Sequence, residues 1–174
     1  MGAFTYPRSE PGSGGHQDLV EKLNTFRTQL RRETEGLSTA AVSHKPGEGE
    51  WSIRDVAGHL CDHGAHLHRR LYRIIKQEEP RLPAWDQHEA AGARQEQDRP
   101  IEALVEEFVA QRGETVEMLG DLVHWNWART GRHEQLGRIS IRQLVDRAIA
   151  HDEMHLDQIR SLKSATAGVS ASTS

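Results

Sequence analysis

The sequence predicts an all-α fold, a four-helix bundle with a long crossover between helices 2 and 3, in up-down-down-up order. Three observations carry this. Four stretches repeat apolar residues at spacings of three and four, the period of a helix with one buried face. No stretch alternates β-branched and polar residues as a half-buried strand does. The connection at about residues 78–98 is long enough to run the length of a bundle, which lets the middle helices lie parallel.

The first predicted helix runs from about His16 to Gly36. Leu19, Leu23, Phe26 and Leu30 mark its buried face, and Gly36 supplies a C-terminal stop. The second starts after Trp51, where Ser52 and Asp55 make a capping-box pattern. Its stripe is Ile53, Val56, Leu60, Leu67, Leu71 and Ile74, and Pro80 and Pro83 mark its end. The third begins near Pro100, a favourable first-turn residue, and presents Ile101, Leu104, Phe108, Thr115, Leu119 and Leu122. The fourth starts at Ser140, with Gln143 completing a second capping box. Its stripe is Ile141, Leu144, Val145, Ala148, Ile159 and Leu162. One bundle domain over 16–163 follows, flanked by Gly-, Pro- and Ser-rich tails at 1–15 and 164–174 that are expected to be disordered.

Composition narrows the function classes. The 174 residues carry a net charge of −4 and a mean hydropathy of −0.71. That balance lacks the basic footprint of a nucleic-acid binder. Apolar runs are too short for a membrane span, and the opening residues MGAFTYPRSEPGSGG contain no apolar leader segment. The single cysteine, Cys61, can form no internal disulfide, which fits a reducing cytoplasm. Neither nucleic acid nor a membrane is therefore the expected partner. Histidine stands out: there are eleven, and imidazole is the commonest metal ligand.

Polar residues that interrupt an apolar stripe are the informative ones. With about 100° per residue and Ile141 at zero, Asp152 falls about 20° from the stripe, His155 about 40° and His151 about 80°. Titratable groups on a core-facing arc are costly unless hydrogen-bonded or ligated. His151 and His155 are four apart, so their rings leave one helical face and can reach one ion. Helix 2 carries His59, His63, His66 and His68, and its periodicity alone does not choose between His59 and His63. Two such i, i+4 pairs among eleven histidines are a weak motif alone. There is no HExxH sequence, and no glutamate precedes a histidine by three positions, which disfavours zincin and ferritin-like di-metal sites.

The segments Trp51-Ser-Ile-Arg-Asp-Val-Ala-Gly-His59-Leu-Cys-Asp62 and His151-Asp-Glu-Met-His155-Leu-Asp-Gln158-Ile resemble the second-helix and last-helix motifs of the DinB-like superfamily. His133-Glu-Gln-Leu-Gly137 resembles its His-Pro-x-Leu-Gly pattern, with Glu134 in place of proline. The resemblance spans about residues 16–163. It implies one divalent metal ion, zinc or nickel ahead of iron or manganese, held by His59, His151 and His155. It thereby selects His59 over His63. It also implies parallel middle helices and, as relatives often pair, a homodimer.

Three imidazoles leave coordination positions open, the pattern of a catalytic rather than a closed site. Relatives in the superfamily include transferases and isomerases that use bacillithiol or mycothiol, and others assigned only as metal-dependent hydrolases. The resemblance thus implies a thiol S-transferase or hydrolase that activates a low-molecular-weight thiol or water toward an electrophile. The alternative is a non-catalytic stress or interaction protein that the metal only stiffens. No general base is assigned. His63, His66 and Asp152 are candidate helpers. Arg112 reads as a buried partner of Asp152 or an anchor for an anionic substrate, and Cys61 as a packing residue. Gly64, where similar proteins often carry a larger polar residue, allows close helix contact or ligand space. Trp85, His88, Trp125 and Trp127, with Arg129, Arg132 and Arg138, could shape a pocket at the bundle mouth.

Overall fold

Local signals set most of the element boundaries in the computed structural model, which describes residues 15–84 and 99–171. Helix α1 spans His16–Thr34 and buries Leu19, Leu23, Phe26 and Leu30. A one-turn helix, α2 (Thr39–Ser43), is capped by the Ser38 hydroxyl. Helix α3 spans Ile53–Lys76; Ser52 and Asp55 close its capping box in both directions. Helix α4 spans Ile101–Gly120. Helix α5 begins at Ile141, where the Ser140 hydroxyl accepts the Gln143 N–H and the Gln143 side chain accepts the Ser140 N–H.

Named contacts fix the helix directions. Cys61 Sγ donates to the Leu104 carbonyl at 3.1 Å, and His68 Nδ1 meets Thr115 Oγ1 at 3.0 Å. Both numbers rise together, so α3 and α4 are parallel. Arg27 Nε donates to the Val109 carbonyl, and Arg31 pairs with Glu106, so α1 and α4 are antiparallel. His59 meets His155 while His63 meets His151, so α3 and α5 are antiparallel. The order is up-down-down-up, a four-helix bundle with the long 77–100 connection between its parallel helices.

Two expectations need correction. Helix α5 continues to Ala171, so residues 164–171 are helix rather than tail. No proline interrupts them, and the Ser161, Ser164 and Thr166 hydroxyls bond back to preceding carbonyls within the helix. The expected tail at 1–14 lies outside the described residues. The absence of strands does not hold either. A small sheet of order β1–β2–β3 joins β1 (Arg81–Leu82), β2 (Thr130–His133) and β3 (Gly137–Ser140), parallel then antiparallel. The β2–β3 turn closes on Gly137 at φ 71°, a left-handed position suited to glycine. Such short, polar strands leave no alternation to read.

The apolar core falls into two clusters. One gathers Phe26, Leu30, Ile53, Leu60, Leu104, Phe108, Leu156 and Ile159. The other gathers Leu19, Leu23, Leu71, Ile74, Leu119, Ile141 and Val145. Between them lies a layer of buried polar residues, His59, Arg112, Thr115, His151, Asp152 and His155. A helix runs about 1.5 Å per residue, so this layer sits partway along the bundle axis and is flanked by apolar packing on both sides.

Candidate metal centre

A histidine in a core must be neutral, hydrogen-bonded or ligated, and the buried imidazoles here are gathered in one place. His59, His151 and His155 each offer a ring nitrogen, and the three nitrogens lie within 4.8 Å of one another. His59 Nε2 faces His151 Nε2 at 2.9 Å. Tetrahedral zinc with bonds of about 2.0–2.1 Å sets its ligand nitrogens about 3.4 Å apart, so the spacing fits one ion with small adjustments. Helix α5 supplies two of the rings through its i, i+4 pair, and antiparallel α3 brings His59 opposite them.

The surroundings set the tautomers. His155 Nδ1 donates to Gln158 Oε1 at 2.8 Å, which fixes the proton on Nδ1 and leaves the Nε2 lone pair available. Burial, then repulsion from His151, lowers the His155 pKa to about 4, against the opposing pull of Gln158 and Asp152. The ring is neutral near pH 7, the form that ligates. His151 Nδ1 sits 3.6 Å from Asp152 Oδ1. Arg112 grips Asp152 with both terminal nitrogens, Nη2 meeting Oδ1 at 3.3 Å. Burial alone would raise the Asp152 pKa. The charge of Arg112 and the contact with His151 overcome it and hold the carboxylate below its ordinary range. His155 is thus held as a neutral imidazole, and a fixed Asp152 carboxylate stands beside His151, the kind of partner that orients histidine ligands in metal sites.

The other helper candidates divide. His63 belongs to the site: its ring stacks on His151 with centroids 3.6 Å apart, and His63, His151 and Asp152 form a second group of closely spaced donor atoms. Burial, followed by repulsion from His151 and Arg112, drives its pKa well below the ordinary imidazole value. His66 lies one turn further along α3, beside a separate cavity. Arg112 is the buried partner of Asp152, and its guanidinium also lies over Phe108. Cys61 packs between α3 and α4. Gly64 permits close contact with α4; a Cβ there would meet Gln111 and Phe108 at 3.4 and 3.7 Å.

The loop pocket lies elsewhere. Trp127 is buried and stacks on His16 at 4.4 Å, while Trp125 is exposed. Arg129 donates to the Ile74 and Gln77 carbonyls at the C-terminal end of α3. Arg132 and Arg138 pair with Glu79. Ile74 is fifteen residues beyond His59, about 22 Å along the helix. These side chains therefore close the far end of the bundle. Trp85 and His88 lie outside the described residues.

Two participants were not assigned roles from sequence. Trp51 covers the cluster, its ring parallel to His155 and tilted against His59, with centroids 6.0 and 5.0 Å away. Gln158 orients His155. The available signal was the i, i+3 spacing of Gln158 from His155, which places both on one helical face.

The sequence pattern of the DinB superfamily matches residues 22–159. Two proteins of Oceanobacillus iheyensis, OB0782 and OB0413, both provisionally named metal-dependent hydrolases, are similar to the chain. OB0782 is 31% identical over 83% of this chain and 84% of its own; OB0413 is 24% identical over 87% of each. Among solved structures, Bacillus subtilis YfiT superimposes with a TM-score of 0.83 at 16% identity, over 96% of this chain and 95% of its own. It is described as having an unusual four-helix bundle topology and is provisionally assigned as a metal-dependent hydrolase. The four-helix bundle protein TT2238 aligns over 84% of this chain and 99% of its own, with a TM-score of 0.59 and 20% identity. On the span of the family match and the similarity to OB0782, the chain belongs to the DinB superfamily.

Proposed function

We propose that the chain is a metal-dependent enzyme in which His59, His151 and His155 hold one divalent cation, zinc or nickel ahead of iron or manganese. When bound, the cation supplies a Lewis acid that lowers the pKa of water or of a small thiol, generating a nucleophile for hydrolysis or for S-transfer to an electrophile. The observation that carries the reading is the convergence of three imidazole nitrogens in a buried polar layer. The names of the Oceanobacillus relatives support it.

The chain's own residues have distinct tasks in this reading. Gln158 keeps the His155 proton on Nδ1. Asp152, anchored by Arg112, holds negative charge beside His151. Trp51 shields one side of the cluster from water. The partner is a small molecule, with no nucleic acid or membrane surface. No helix among the described residues is long and apolar enough to cross a membrane.

Elemental analysis of the purified chain tests the reading. One equivalent of a divalent metal is expected, falling below a tenth of that in His59→Ala, His151→Ala and His155→Ala. Ester hydrolysis and thiol conjugation to a reactive haloarene, each assayed with and without metal, then separate the two chemistries. A chain that carries no metal and takes none up overturns the proposal.

A further inference from the structure

A second cavity opens directly beside the histidine cluster, between α3, α5 and the β2–β3 turn. Its volume is about 140 Å³, close to the cavity of about 150 Å³ that admits a benzene ring. One wall is His63, whose ring stacks on that of His151 and also lies against that of His59, with centroids 3.6 and 6.2 Å away. The cavity therefore adjoins the cluster through a single imidazole.

The lining is chemically one-sided. Arg70, Arg147, His63, His66, His133 and Gln135 are its polar residues, Leu144 is among its apolar ones, and no aspartate or glutamate is among the described residues that line it. His133 is fixed as a donor. Its Nδ1 accepts the backbone N–H of Gln135 at 3.1 Å and of Leu136 at 3.3 Å. The ring proton must then reside on Nε2. Arg70 is held in place by donating to the Pro83 carbonyl at 2.7 Å. Burial first, and then the positive charge of Arg70, lowers the pKa of both His66 and His133; at His133 the neighbouring Glu134 opposes this and Arg147 adds to it. Two guanidinium groups thus act on the same small volume. They come from different helices, α3 and α5, and the hairpin adds the third donor.

We propose that this cavity is a substrate subsite for a carboxylate on a small, flat molecule, held by Arg70, Arg147 and the His133 Nε2–H. Planar guanidinium forks match carboxylate geometry, and the apolar lining accommodates the body of the molecule. The inference deepens the enzymatic reading and rests on it for the word substrate; the binding itself does not require the metal. A molecule held here presents its remaining end past His63 toward the histidine cluster. The proposed enzyme would therefore select acidic substrates over their neutral counterparts.

Benzoate and benzamide, equal in size and differing in charge, are the probes. Calorimetric titration uses the full chain, both zinc-loaded and zinc-stripped, with zinc content measured alongside. Benzoate is expected to bind at least tenfold more tightly than benzamide in both forms. Arg147→Gln and Arg70→Gln should each weaken benzoate at least fivefold while leaving zinc content unchanged, and Arg147→Lys should recover part of the loss. Equal binding of the two probes, or benzoate binding indifferent to both arginines, overturns the subsite. So does benzoate binding that requires zinc and is lost only in His155→Ala, since the carboxylate would then sit on the cation. A chain that binds no zinc yet binds benzoate through the arginines retains the subsite and refutes the metal reading.

Discussion

Gln158 shows how a single side chain can decide what a neighbouring imidazole does. Its carbonyl oxygen holds the His155 proton on Nδ1, so Gln158→Leu should leave the ring in place but free to change tautomer. Loss of such an orienting partner typically weakens metal affinity by about 10–100-fold. Competition with a zinc-sensitive dye should read that loss with little change in melting temperature. Arg112 tests the opposite case. Arg112→Leu leaves the Asp152 carboxylate buried without its cation, a change that costs about 3–5 kcal/mol and should shift the urea midpoint strongly downward. At this scale the sequence was partly legible. Asp152, His151 and His155 betray themselves by sitting on an apolar stripe. Helical phase could not choose between His59 and His63, because both lie on the same flank and both come to rest against His151.

Helices were legible because their ends are written in local chemistry. Ser52 with Asp55 and Ser140 with Gln143 cap α3 and α5 as their spacing predicts. The strands were not, because two to four residues carry no period and their pairing partners are distant in sequence. Two glycines separate these element types experimentally. Gly64→Ala adds a methyl at ordinary contact distance inside a helix and should stabilise the chain by up to about 1 kcal/mol. Gly131→Ala in β2 would bring its Cβ to 2.7 Å from Leu82 and 3.1 Å from Ile74, and should cost about 1–3 kcal/mol through overpacking. Chemical denaturation of both variants checks the signs. A destabilised Gly64→Ala would mean that α3 and α4 cannot yield even the small space required.

Across the whole molecule, pH acts through the buried histidines. His155 has an ordinary value of 6.5 and a folded value of about 4, because burial disfavours its charged form. The unfolded chain binds more protons between those values, so this contribution is fully present above pH 6.5 and is lost as pH falls toward 4. The shift corresponds to a contribution on the order of 3 kcal/mol, and His63 acts in the same direction. Urea denaturation of metal-free protein should therefore show stability declining from pH 6.5 to 4.5, with a shallower decline in His155→Gln. A flat profile would show that the cluster admits protons freely. The helix order was legible at this scale from one long connection, since only a crossover of that reach lets consecutive helices run parallel. The far-end arginines were not, because a count of charges near a loop does not say which carbonyls they meet.

The polar layer between the two apolar clusters has a consequence for alignment. Apolar stripes alone would tolerate one helix sliding past its neighbours by a turn, about 5.4 Å. Here such a slip would set Arg112 against Ala148 or Leu156 in place of Asp152 and strand both charges in a dry interior. The buried polar residues thus also serve as a ruler that admits one register and rejects its neighbours.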